Sequence, residues 1–66
     1  MEITVNGQSR TLPEKTTAAG LVAMLELTGR RYAMEINGEI VPKSTHPERV
    51  LEPGDRVEIV HAVGGG

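Results

Sequence analysis

The chain has 66 residues, eight of them glycine, with no cysteine, tryptophan or phenylalanine, one tyrosine and a net charge of −2. That length allows one small domain, which buries only about 60% of its unfolded surface and leaves no room for a deep catalytic cleft. Without cysteine there is no disulfide framework, thiolate metal site or cysteine nucleophile, and with a single tyrosine ring and no basic balance there is no stacking platform or positive field for nucleic acid or an anionic membrane.

From the N-terminus, Met1, Ile3 and Val5 alternate with polar residues, the period of a half-buried strand. Asn6-Gly7 is a hairpin turn in which both residues tolerate positive φ, and Gln8 to Leu12 form the return strand, stopped by Pro13. Thr16 or Thr17 caps a helix, with Glu14 near its positive end. Ala18, Leu21, Val22 and Leu25 lie on one stripe of a 3.6-residue period, so the expected helix runs from Thr17 to Thr28. Its expected end carries a Glu26–Arg30 pair, Gly29 as the residue just past the last turn, and Arg30-Arg31 against the final carbonyls. Gly20 interrupts the stripe at a cost of about 1 kcal/mol, which a close approach of helix and sheet would explain.

Tyr32 to Asn37 alternates again, with Met34 and Ile36 inward, and Asn37-Gly38 makes a second turn into a short strand, Glu39 to Val41, ended by Pro42. Lys43 to Glu52 is irregular, with His46-Pro47 starting a helical turn, and Pro53-Gly54-Asp55 is a tight turn. The last strand, Arg56 to Val63, turns Val57 and Ile59 to one side and Glu58 and Val60 to the other. One helix laid across a mixed sheet of about five strands buries these stripes most economically, with the last strand central beside the first. That is an α+β fold of the β-grasp type, with a domain over 1–63 and a flexible glycine tail over 64–66.

No enzyme constellation accompanies this frame. His46 and His61 are far apart in sequence, neither Ser9 nor Ser44 sits in a nucleophile elbow, and no P-loop or dinucleotide fingerprint is present. Glu52, Asp55 and Glu58 read as a solvated acidic face around a turn, and His61 as a strand-edge residue. The chain is therefore expected to be no enzyme, to bind no metal or cofactor itself, and, with no apolar run near the roughly 18 residues of a membrane span and no signal-peptide pattern, to be cytoplasmic.

The sequence closes on Gly64-Gly65-Gly66 directly after a strand. Extended, three glycines reach about 10 Å, and without Cβ atoms they thread a narrow channel and offer a carboxylate to another protein's active site. A carboxylate is a poor electrophile until it attacks the α-phosphate of ATP and becomes an acyl-adenylate, whose carbonyl then accepts a sulfide, persulfide or thiol. Val60 points away from the inward Val57 and Ile59. With Ala62 and Val63, and with whichever of Ile40 and Val41 faces out, Ile40 being the candidate, it makes an apolar docking patch near the tail root.

Four stretches carry a family resemblance: Met1 to Gly7 (M-E-I-T-V-N-G), Ile36 to Pro42 (I-N-G-E-I-V-P), Leu51 to Val60 (L-E-P-G-D-R-V-E-I-V) and the ending H-A-V-G-G-G. Through them the whole chain resembles the bacterial sulfur carriers of thiamin biosynthesis, the ThiS family, within the ubiquitin-like β-grasp proteins. The resemblance implies that a ThiF-type enzyme adenylates the Gly66 carboxylate with its own ATP and magnesium. It implies too that sulfur, in many systems from a cysteine desulfurase persulfide, converts the adenylate to a thiocarboxylate, and that thiazole synthase (ThiG) takes this sulfur into the thiazole ring. On that carry-over Gly66 bears the sulfur, Gly65 completes the glycine pair and Gly64 extends the tail. The competing readings are the small subunit of molybdopterin synthase, whose chains are usually longer, a ubiquitin-like protein modifier, and a non-reactive β-grasp interaction module.

Overall fold

In this computed structural model residues 1–61 are described. The expected tail over 64–66, and the docking candidates Ala62 and Val63, lie outside the described residues.

The elements follow the order β1 (Glu2–Val5), β2 (Gln8–Thr11), α1 (Ala18–Met24), β3 (Tyr32–Ile36), β4 (Glu39–Ile40), a 3-10 helix at Lys43–Thr45, and β5 (Arg56–His61). Both Asn-Gly turns take the expected positive φ at each residue, 51° and 82° at Asn6 and Gly7, 53° and 86° at Asn37 and Gly38. That backbone twist matches the flanking strands and sets the register of each hairpin. The five strands form one sheet in the order β2-β1-β5-β3-β4. β5 is its centre, parallel to β1 and antiparallel to β3.

Alternation decides which sheet face is dry. Ile3 and Val5, Val57 and Ile59, and Met34 and Ile36 are all buried, and they form one cluster with Ala18, Leu21 and Val22 of α1 and with Leu12, Val41 and Leu51 from the connections. The intervening residues Glu58, Val60, Ala33 and Glu35 are exposed on the other face. The chain from Val41 to Asp55 returns over the start of α1, where Ala18 N–H donates to Arg49 O at 2.8 Å and Ala19 N–H to His46 O at 3.1 Å. Gly20 N–H donates to the Thr17 hydroxyl at 3.1 Å, so Thr17 is the cap and the first amides of the helix all find acceptors.

Several details differ from expectation, each for a local reason. The helix ends at Met24, a turn early, because Glu26 takes the left-handed conformation at φ 59°. Leu27 N–H then reaches Val22 O and Glu26 N–H reaches Ala23 O, both at 3.0 Å, the paired bonds of a Schellman ending. Gly29 serves a following turn, and Arg30 and Arg31 lie beyond the helix and do not cap it. Glu14 pairs with the Met1 α-ammonium at 3.2 Å instead of serving the helix. A Cβ on Gly20 would meet only Thr16 and Thr17 side-chain atoms, at 3.4 and 3.5 Å, so no sheet residue presses on that position. The helical turn of the long connection ends at His46 rather than starting there. Asp55 is buried, not part of a solvated acidic face: its carboxylate accepts from Glu52 N–H at 2.9 Å and from Asn37 Nδ2 at 3.0 Å.

Candidate functional site

The strand that leads to the glycine tail is the most heavily held in the sheet. β3 pairs with β5 along five residues, from Tyr32 opposite His61 to Ile36 opposite Val57. On the other side β1 pairs only as far as Val5 opposite Val57. Beyond that point the Asn6 side chain continues the ladder: its Nδ2 donates to Ile59 O at 3.1 Å and its Oδ1 accepts from Ile59 N–H at 2.8 Å. Asn37 does the same work at the start of β5, its Oδ1 accepting Arg56 N–H at 2.9 Å. Each turn asparagine therefore adopts a conformation the turn requires and spends its amide on the central strand. Val60 and His61 overhang the end of β1, held on the β3 side.

Two of the four docking candidates fall within the described residues. Val60 is 72% exposed and Ile40 73%. Both are on the sheet face that α1 does not cover, Val60 directly opposite Ala33 and Ile40 directly opposite Glu35. Val41, the other residue of that short strand with a claim to the patch, is buried in the core. A shallow cleft of about 390 Å³ continues from Ile40 around the β4 edge, lined also by Pro42, Thr45, Glu48 and Arg49.

Two titratable rings, His46 and Tyr32, have structural employment. His46 is 2% exposed, and its Nε2 lies 3.0 Å from Val41 O, which requires the proton on that nitrogen. Nδ1 is thereby the acceptor for the Tyr32 hydroxyl at 2.8 Å, a tautomer assigned from the partners. The two rings stack with centroids 5.5 Å apart, and Lys43 Nζ lies 4.8 Å from the Tyr32 ring centroid. Burial pushes the Tyr32 phenol above its ordinary value of 10.0, so it is a protonated donor at neutral pH. Among the described residues no group of three histidine, aspartate or glutamate side chains is placed to hold a metal ion, and no helix is long and apolar enough to cross a membrane.

Sequence reasoning missed two contacts. The Tyr32–His46 pair joins positions 14 apart through an irregular segment, for which no periodicity exists. The second is the register that sets Glu35 directly opposite Glu58 on the uncovered face. Alternation turns both outward, but only strand pairing makes them neighbours.

Comparison with known proteins bears on the whole frame. The ThiS family model matches residues 3–66. The chain is 38% identical over 66 residues to a thiazole synthase of Paramagnetospirillum magneticum and 35% identical to one of Magnetococcus marinus. All of this chain is covered in both matches, but only 20% of each of those proteins, so the chain spans about a fifth of their length. The crystal structure of the thiamine biosynthesis protein ThiS from Geobacter metallireducens superposes with a TM-score of 0.83 at 29% identity, covering both chains completely.

Proposed function

The chain belongs to the ThiS family, and from that membership we propose that it is a sulfur carrier of thiamin biosynthesis whose reactive atoms are the carboxylate of Gly66. It is a cosubstrate of partner enzymes rather than a catalyst. The observation that carries the reading is the family match itself, which extends over both the β-grasp domain and the glycines at 64–66.

The chemistry has two stages. A Gly66 carboxylate oxygen attacks the α-phosphate of ATP within a ThiF-type enzyme that holds the nucleotide and its magnesium, and pyrophosphate leaves. A sulfur nucleophile then adds to the acyl-adenylate carbonyl and expels AMP. Sulfide gives the thiocarboxylate directly. A cysteine desulfurase persulfide gives an acyl disulfide, which a thiol cleaves to the thiocarboxylate. The thiocarboxylate donates its sulfur to thiazole synthase, a partner favoured by the names of the two relatives.

The domain's contribution is placement. A tail of small residues leaving a strand paired at the centre of a sheet is presented from a fixed root, so less orientational freedom is lost when a partner's channel takes it in. Val60, Ile40, Ala62 and Val63 are the proposed contacts around that root. Pyrophosphate release from ATP, measured with the adenylating enzyme, is predicted to require this chain. It is predicted to fall to background when one residue is added after Gly66, the domain's thermal unfolding being unchanged. Normal turnover of the extended chain would overturn the threaded-tail reading.

A further inference from the structure

A second cleft opens on the helix side of the sheet, between the β1–β2 hairpin, the end of β5 and the Schellman ending of α1. It holds about 230 Å³, below the roughly 300–1,000 Å³ of small-molecule sites. Its floor is apolar: Val5 and Ile59 belong to the core, and Leu25 and Leu27 are half-buried against it. Its rim carries a guanidinium and an imidazole and no acidic residue. Arg10 lies directly opposite Ile3 on β1, so its side chain shares the helix-side face. His61 shares that face too, as the next residue but one after Ile59. Among the described residues neither Arg10 nor His61 forms an ion pair, Met1 with Glu14 being the only one. Glu26, between the two leucines in sequence, is exposed and stays out of the lining.

We propose, on the carrier reading above, that this cleft is a binding site for the chain's own C-terminal carboxylate and for the thiocarboxylate that replaces it. Charge and reach select that occupant. The Arg10 guanidinium donates to both oxygens of a carboxylate, or to the oxygen of a thiocarboxylate whose softer sulfur lies over the leucines. Five residues follow His61, about 17 Å when extended, and His61 itself lines the cleft. A turn at 62–63 sends Gly64 to Gly66 back over Ile59 with about 10 Å of reach, and without Cβ atoms they lie flat on the apolar floor. A tether this short gives an effective concentration on the order of mM, so a contact of about millimolar affinity is occupied about half the time. Between partners the carried sulfur is thus covered, and a partner's channel competes with the cleft for the same end.

The test needs no partner enzyme, so it succeeds or fails apart from sulfur transfer to Gly66, which intact mass reads. NMR spectra of the full chain are compared for free Gly66, for Gly66 as its carboxamide, which leaves the domain untouched, and for Arg10→Gln, each with its unfolding midpoint. Nuclear Overhauser contacts from the Gly65 and Gly66 α-protons to the Leu25 and Leu27 methyls are expected in the free chain. Both changes are expected to weaken them by about half or more at an unchanged midpoint, as is about 1 M salt. Absence of these contacts in the free chain would overturn the proposal, as would contacts indifferent to both changes. Contacts found only between differently labelled chains would put a second copy's tail in the cleft and overturn it as well. With sulfur on Gly66, water adds to the carbonyl and hydrogen sulfide leaves. Arg10→Gln is expected to speed that loss about twofold, since the covered half of the population is released; an unchanged rate would overturn the shielded state.

Discussion

Tyr32 and His46 show how hydrogen-bond logic fixes the tautomer of a buried ring. The Val41 carbonyl fixes the proton on Nε2, so the buried Nδ1 depends on the tyrosine hydroxyl for its partner. Replacing Tyr32 with phenylalanine keeps the stacked shape but leaves that nitrogen unsatisfied, and is predicted to cost about 1–2 kcal/mol in denaturant unfolding at pH 7. The pH dependence has a definite sign. The folded phenol keeps its proton to higher pH than the unfolded one, so its stabilisation is full below the unfolded value of 10.0 and is lost as pH rises through the folded value. Stability of the natural chain is therefore expected to fall on the alkaline side of that value with a steeper slope than that of the phenylalanine variant; parallel slopes would contradict the assignment. Asp55 illustrates the opposite lesson about charge. In sequence it sits between Glu52 and Glu58 as one of three acids, yet only it turns inward, to close its own turn and receive Asn37.

At the scale of elements, the two Asn-Gly turns are fasteners of β5 as well as hairpin corners. Asn6→Gly keeps the positive φ but removes both side-chain bonds to Ile59, and is predicted to lower stability by about 1–2 kcal/mol. Amide exchange should speed selectively at Ile59, whose N–H faces Asn6, while amides facing β3 keep their protection. An unchanged Ile59 amide would refute the fastening. The strands themselves were legible in the sequence, because period-two alternation and turn chemistry are both local. The helix was legible in its start and its buried stripe and not in its end. Leu25 sits at the spacing of a further turn and Gly29 has the chemistry of a helix stop, whereas the residue that ends the helix is Glu26, a type with no preference for positive φ. Arg30 and Arg31 were misread as a consequence. The burial of Asp55 and His46 depended on partners 18 and 14 residues away, beyond the reach of any local pattern.

For the whole molecule, the arrangement of strands gives β5 the central place. Helix, core and long connection pack on one side of the sheet, and the opposite face beside the central strand is exposed. Of the functional surface, the outward direction of Val60 was legible from alternation and that of Ile40 was left open beside Val41, a choice that packing decides in favour of Ile40. The facing glutamates were not, since register is a property of two strands and not of either. The carrier chemistry proposed for the Gly66 carboxylate needs no side-chain thiol, and the sequence has no cysteine. The most direct measurement is the intact mass of the chain, with the site located by fragmentation, after incubation with a ThiF-type enzyme, ATP, magnesium and a sulfur source. One oxygen replaced by sulfur at Gly66 is the predicted result; an unchanged mass, or covalent joining of Gly66 to another protein, would contradict the account.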